Sequence, residues 1–326
     1  MARISDTIIP DAETLSDGLS DLFGRFGTHE QLNVISRTPH IHSSTHPLEI
    51  VRCRRADDEE IDLVCKYGHL GYSAALGNRR RRGGVDYEIR IYRDILSLWD
   101  CDNIKFHGDF EFSNGNNYCF VMDYLDDAYR LNQCPNENAI LDAASWIGKF
   151  HLESEKHLQD DELPPLICYD KNYFLDCINR VYSLPDEIHG ELNWLRRLCT
   201  ESKRHLDVAV SGSQVLIHGE YYPKNILVQG NCIYPVDWES AAIAMGEIDL
   251  ATLTEGWSID VCQEIYAAYA EARWPADPPE DLTERVEFAR LYDQLRWLGE
   301  QGSWKISSRN WRFEELRRVG ERLAII

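Results

Sequence analysis

Residues 215–228 read Val-Leu-Ile-His-Gly-Glu-Tyr-Tyr-Pro-Lys-Asn-Ile-Leu-Val, and residues 234–239 read Tyr-Pro-Val-Asp-Trp-Glu. A short apolar run enters a loop carrying Glu220, and Asn225 follows five positions later. A second run then leads through Gln229-Gly230-Asn231 into a third that ends at Asp237. Strand, loop, strand, tight turn and returning strand is a layout that can deliver separated side chains to one place. The side chains match one chemistry. Phosphoryl transfer from a nucleotide needs a carboxylate to orient and deprotonate the acceptor hydroxyl, and a metal held by an amide oxygen and a second carboxylate. Glu220 fills the first place, and Asn225 and Asp237 fill the metal places, with Mg2+ as the expected ion.

Working outward, the pattern differs on the two sides of this stretch. Leu15, Leu19, Leu22, Phe23 and Phe26 share one helical face and predict an amphipathic helix over 11–26. The runs Pro47–Cys53 and Glu60–Gly68 alternate apolar and polar residues across the charged tract 54–60, which predicts a β-hairpin. Helical periodicity follows over Val85–Trp99, then two strand-like runs, Ile104–Gly108 and Tyr118–Tyr124. From residue 137 the pattern turns helical, with Ile140, Ala144, Ile147 and His151 on one face. Apart from the β-rich island at 214–239 it stays helical to the end, with breaks at 275–279 and 301–303. The change from strands to helices sets the expected boundary, with an N-terminal lobe at 1–122 and a C-terminal lobe at 123–326.

The stretch at 218–239 resembles the H-G-D-x-x-x-x-N loop and the I-D-W-E segment of the aminoglycoside phosphotransferase family, within the choline kinase-like superfamily. Gly246-Glu-Ile-Asp-Leu-Ala251 is similar to the downstream G-D-P-x-x-D-L-A of that family, and further matching segments occur in family order over about residues 30–255. The resemblance implies an α+β, bilobal protein kinase-like fold, with a small antiparallel β-sheet lobe and a larger, mainly helical lobe. It implies that Lys66, in Leu-Val-Cys-Lys, contacts nucleotide phosphates and that Glu88 on the following helix orients it. Asp123, Tyr124 and Leu125 take the place of the hinge that receives the base through backbone groups, and Ser43 and Ser44 that of the phosphate-covering loop. His218 and Asp249 become structural supports of the loop. ATP or GTP is the implied nucleotide, and the implied reaction is phosphorylation of a hydroxyl on a small polar molecule, such as an amino sugar or amino alcohol.

Each of these residues has a plainer reading when taken alone. A Lys at a strand end is ordinarily solvated, and a helix Glu is ordinarily exposed; it is their order along the chain that ties Lys66 and Glu88 together. His151 reads as a satisfied core histidine. The run Arg79–Arg82 reads as a solvated loop between glycines. Glu239 and Tyr222 are the candidates for contacting the acceptor.

One position departs from the family pattern. Glu220 stands where the family has Asp, and an extra methylene moves the carboxylate by about 1.5 Å, a displacement able to change rates about a hundredfold. Two readings follow: an active small-molecule kinase whose loop is set back, or a nucleotide-binding regulator of the same fold. The Asp-Phe-Gly and Ala-Pro-Glu signatures of protein kinases are absent, which points away from a protein acceptor.

Composition narrows the partners. The formal net charge is −21, with 14 basic and 19 acidic residues in 1–122 against 20 and 36 in 123–326. The second part therefore repels nucleic acid and anionic membranes and favours cationic ligands. Of ten cysteines none form a Cys-x-x-Cys pair, so no zinc site is expected, and Cys65, Cys119 and Cys232 read as core thiols of a reducing compartment. The opening residues lack the apolar core of a leader, and the expectation is a cytoplasmic protein. Oligomeric state is left open.

Overall fold

Alternation in Leu48–Arg54 puts Glu49, Val51 and Cys53 on one buried face, and the partner strand Glu60–His69 answers with Leu63, Cys65 and Tyr67. A carboxylate on such a face needs partners. Glu49 receives hydrogen bonds from Arg37 (2.5 Å) and from the Tyr67 hydroxyl (2.8 Å). The computed structural model describes residues 8–24, 31–41, 46–69, 83–99, 101–113, 117–158, 163–207, 212–300, 307 and 310–326. The expected phosphate-covering residues Ser43 and Ser44, and the run Arg79–Arg82, lie outside the described residues.

The chain divides into two compact units, one of Met1–Ala128 with Tyr234–Glu239, the other of Tyr129–Ile233 with Ser240–Ile326. In the first unit, helix α1 (Ala12–Gly24) precedes strands β1 (Asn33–Pro39), β2 (Leu48–Arg54) and β3 (Glu60–His69). Helix α2 (Val85–Ile91) continues into one π-helical turn, Tyr92–Leu96, and strands β4 (Phe106–Phe112) and β5 (Asn117–Asp123) follow. The five strands form one sheet in the order β1-β2-β3-β5-β4, with every neighbouring pair antiparallel. Leu15, Leu19, Leu22 and Phe23 of α1 are buried with Val51, Cys53, Phe110 and Val121 in one apolar cluster. The expected apolar face is therefore a core signal through Phe23, while Phe26 lies outside the described residues. The expected strand at 104–108 instead begins at Phe106, and the expected hairpin is preceded by β1. Its burial pattern shows mostly exposed residues, so no alternation marks it.

The second unit is mainly helical. Its β elements are β6 (Tyr129–Arg130), β7 (Gln214–Ile217), β8 (Ile226–Gln229), β9 (Cys232–Pro235) and β10 (Ala242–Met245). They form a three-stranded sheet in the order β6-β8-β9 and a β7–β10 pair, and the last two residues of β9 are counted in the first unit. The helices are α3 (Ala139–His157), α4 (Lys171–Tyr182), α5 (Asp186–Glu191), α6 (Leu195–Arg204), α7 (Glu247–Leu253), α8 (Ile259–Arg273), α9 (Leu282–Glu300) and α10 (Trp311–Arg322). Helix α3 packs on α8, and a Cβ at Gly148 would stand 2.8 Å from the Tyr269 carbonyl oxygen, so only glycine permits that approach.

All ten cysteines are free thiols. Cys65 and Cys119 are buried as expected, but Cys232 is exposed, because it opens β9 directly after the Gly230 turn and Ile233 takes the inward position. No helix among the described residues is long and apolar enough to cross a membrane.

Candidate active site

In the first unit the sequence places Lys66 near the end of β3 and Glu88 on α2. Lys66 Nζ donates to Glu88 Oε2 at 2.6 Å and to Asp237 Oδ1 at 2.9 Å. Asp237 reaches this cluster with the returning segment 234–239, and its φ of 72° lies in the left-handed region, which costs a non-glycine residue about 1–2 kcal/mol. Burial by itself would lower the Lys66 pKa. Asp237, Glu88 and Glu239 outweigh it and hold the ammonium well above its ordinary value. Burial pushes the Glu88 carboxyl up while Lys66 opposes the shift. The cluster is thus a persistent cation among three acids.

The remaining first-unit candidates have definite surroundings. Glu239 is 2 % exposed, lies 3.8 Å from His46 and accepts the Gly83 N–H at its carbonyl. At the expected hinge, the Asp123 N–H donates to the Lys105 carbonyl (3.0 Å) and the Tyr124 N–H to the Asp62 carbonyl (3.2 Å). Of the three hinge N–H groups, only that of Leu125 has no hydrogen bond among the described residues.

In the second unit the loop after β7 is built around Asp249. Its Oδ2 accepts the His218 N–H at 2.6 Å and its Oδ1 the Gly219 N–H at 2.8 Å, and its fully buried carboxylate also faces His151 Nε2 at 3.2 Å. His151 Nδ1 is paired with the Tyr269 hydroxyl at 2.9 Å. Burial lowers the His151 pKa although Asp249 opposes it, so the ring is neutral at neutral pH. Gly219 has φ +80°, and a Cβ there would stand 2.2 Å from the Ser240 carbonyl oxygen. The sharp turn it permits carries the chain into Glu220.

Glu220 is 3 % exposed, and its Oε1 accepts the Ser240 hydroxyl at 2.9 Å. Its N–H donates to His218 Nδ1 at 3.3 Å, which gives that histidine a backbone-holding contact. Asn225 Nδ2 donates to the Glu220 carbonyl at 3.0 Å, which fixes the amide and leaves its Oδ1 free of that bond. Tyr221 is buried with its hydroxyl on the Ala143 carbonyl (2.9 Å), and Tyr222 lines a cavity of about 890 Å³. Glu239 is not among the residues lining that cavity.

Two contributors escaped the sequence reading. Ser240 and Arg296 hold the loop from the other side, with Arg296 Nη2 donating to the Gly219 carbonyl (2.8 Å) and to Asp293 (2.7 Å). The Asp293-x-x-Arg296 spacing looks like an ordinary surface helix pair. Only its position in the most apolar part of α9, among Leu291, Leu295 and Leu298, marks it as buried.

In the first unit the Asp237 carboxylate, about one-third exposed, is a hard oxygen donor, and in the second unit the Asn225 amide is another. That set suits magnesium rather than zinc. Among the described residues no group of three or more His, Cys, Asp or Glu forms a metal cluster.

A search of the curated proteins finds no match. Among solved structures, the chain is similar to the GDP complex of aminoglycoside 2'-phosphotransferase-IIIa (15 % identity, TM-score 0.60, covering 97 % of this chain and 99 % of that one). It is also similar to choline kinase LicA from Streptococcus pneumoniae (14 %, 0.58, 96 % and 99 %) and to macrolide 2'-phosphotransferase type I (16 %, 0.57, 97 % and 98 %). These likenesses establish the protein kinase-like fold. The model of the phosphotransferase enzyme family matches residues 118–282, half of the chain and the whole of the Glu220, Asn225, Asp237 and Asp249 region. The chain therefore belongs to the phosphotransferase enzyme family.

Proposed function

We propose that the protein transfers the γ-phosphoryl group of ATP or GTP to a hydroxyl of a small polar molecule, with Glu220 as the base. The observation that carries this reading is the anchoring of Glu220: Ser240 holds its carboxylate, while Asp249 and Arg296 hold the backbone of the preceding turn. A longer side chain in place of Asp is compatible with transfer when its reach is fixed in this way, since positioning carries most of the catalysis in phosphoryl transfer.

Lys66, aimed by Glu88, neutralises nucleotide phosphate oxygens. Leu125 offers its N–H to the base. Asn225 and Asp237 are the residues that would hold magnesium, which would supply neutralisation of phosphate charge. Glu220 hydrogen-bonds the acceptor hydroxyl and takes its proton as the oxygen bonds to the γ-phosphorus. The bond from phosphorus to the bridging oxygen breaks, and its electron pair leaves with the nucleoside diphosphate. Tyr222 and its cavity receive the body of the acceptor. Its hydroxyl is buried with no hydrogen-bond partner among the described residues, a donor that a bound molecule would satisfy.

The test is label transfer from γ-labelled ATP and GTP to a panel of hydroxylated small molecules, including amino sugars, amino alcohols, polyols and hydroxy acids. Labelled phosphoester that disappears in Glu220→Gln supports the reading. Label found only in inorganic phosphate, at the same rate in both proteins, would overturn it.

A further inference from the structure

The cavity beside Tyr222 is rich in aromatic faces, the usual device for holding an organic cation. Three of those faces already carry a cation from the chain itself. The Arg312 guanidinium carbon lies 4.1 Å from the Trp297 ring centre and 4.5 Å from that of Trp311. Lys224 Nζ lies 5.4 Å from the ring centre of Tyr222. Tyr222, Lys224, Trp297, Trp311 and Arg312 all line the same cavity.

Arg312 is held in this position and is not a passing surface contact. It stands at the start of α10, nine-tenths buried, with its own N–H on the Asn310 side chain that caps the helix. Its Nη1 donates to Gln294 Oε1 at 2.8 Å and lies 3.9 Å from Glu255, whose carboxyl burial pushes up. Gln294 Nε2 donates to the same Glu255 at 3.0 Å, which fixes the amide so that its oxygen faces Arg312. The hydrogen bonds of Arg312 leave its Nε and Nη2 donors uncommitted among the described residues.

We propose that Arg312 is a resident cation that occupies the aromatic slot of the acceptor cavity, so that the part of the acceptor docking there is an oxygen-rich group, sugar hydroxyls or a carboxylate, and not an ammonium. This rests on the cavity being the acceptor site, as set out above. Two physical effects act together. The Tyr222, Trp297 and Trp311 rings already carry a cation, and a second cation brought beside Arg312 is repelled. The free guanidinium donors and the buried Tyr222 hydroxyl instead match oxygen acceptors.

The probe is tetramethylammonium, titrated by calorimetry into wild type, Arg312→Ala and Arg312→Lys, with circular dichroism confirming that each is folded. Arg312→Ala vacates the slot and is expected to bind the probe at least about tenfold more tightly than wild type. Arg312→Lys keeps a cation in place and is expected to behave as wild type. The gained affinity should disappear in Arg312→Ala combined with Trp297→Ala. Wild type binding the probe as tightly as Arg312→Ala overturns the proposal, and this comparison needs the wild type measurement even if a variant fails to fold, since saturable binding to wild type alone contradicts an occupied slot. The probe carries no hydroxyl, so the outcome is independent of the label-transfer experiment, and failure of transfer to every acceptor would leave it unchanged.

Discussion

Lys66 and Asp237, 171 positions apart in the sequence, form an ion pair of 2.9 Å, and the same ammonium donates to Glu88 at 2.6 Å. Such a cation among acids has no purpose as surface solvation. It pairs with Asp237, whose backbone is left-handed, and keeps a positive charge fixed at the end of the side chain of Lys66.

Replacing Lys66 by Met should therefore lower kcat/KM for the nucleotide by on the order of a hundredfold or more while leaving the fold intact. Glu88→Gln should act in the same direction more weakly, because Asp237 still holds the ammonium. Steady-state kinetics with varied ATP checks both.

Glu220 should tolerate neither loss nor shortening. Glu220→Gln removes the proton acceptor and is expected to lower kcat by about 10²–10⁴-fold. Glu220→Asp restores the family residue yet draws the carboxylate away from Ser240, and about a hundredfold loss is expected. Ser240→Ala should cost less than either, since it loosens the base without removing it. Comparison of kcat across the three variants with a working acceptor decides the order.

Asp249 predicts a stability effect. Asp249→Ala leaves the buried N–H groups of His218 and Gly219 without their acceptor and should destabilise by on the order of 3 kcal/mol. Gly219→Ala meets both a positive φ and the Ser240 carbonyl and should cost at least about 2 kcal/mol. Urea unfolding followed by circular dichroism measures both.

His151 predicts a pH dependence. Its folded pKa is lowered, chiefly by burial, so the unfolded state binds the proton more readily. Stability from this group is present above the unfolded value of about 6.5 and falls as the pH drops from there through the folded value. His107 and His189 are shifted the same way and add to the trend. The urea midpoint should fall between pH 7 and pH 5, and less steeply in His151→Gln.

Much of this site was legible from residue order. Glu220, Asn225 and Asp237 stand out because a carboxylate, an amide and a second carboxylate recur at spacings that a loop and a hairpin impose. Lys66 and Glu88 gain meaning only from lying upstream of them in sequence. Other parts left no local mark. Strand β10 is the small apolar run Ala242–Met245, without alternation, and is ordered by pairing with β7. Helix periodicity ran through Val85–Trp99 without revealing that Tyr92–Leu96 widens to a π turn. Arg296 and Arg312 resemble any helix arginine until the packing of α9 and α10 buries them among aromatic rings. Burial of a charged side chain is a tertiary fact, and the sequence carries only its opposite expectation.

The most direct test of the central claim is calorimetric titration of ATP in the presence and absence of magnesium, into wild type, Lys66→Met and Asp237→Asn. Saturable binding to wild type that strengthens with magnesium, weakens in Lys66→Met and loses its magnesium dependence in Asp237→Asn is the expected result. Equal binding by all three proteins, with or without the metal, would contradict a nucleotide phosphate site at Lys66 and Asp237.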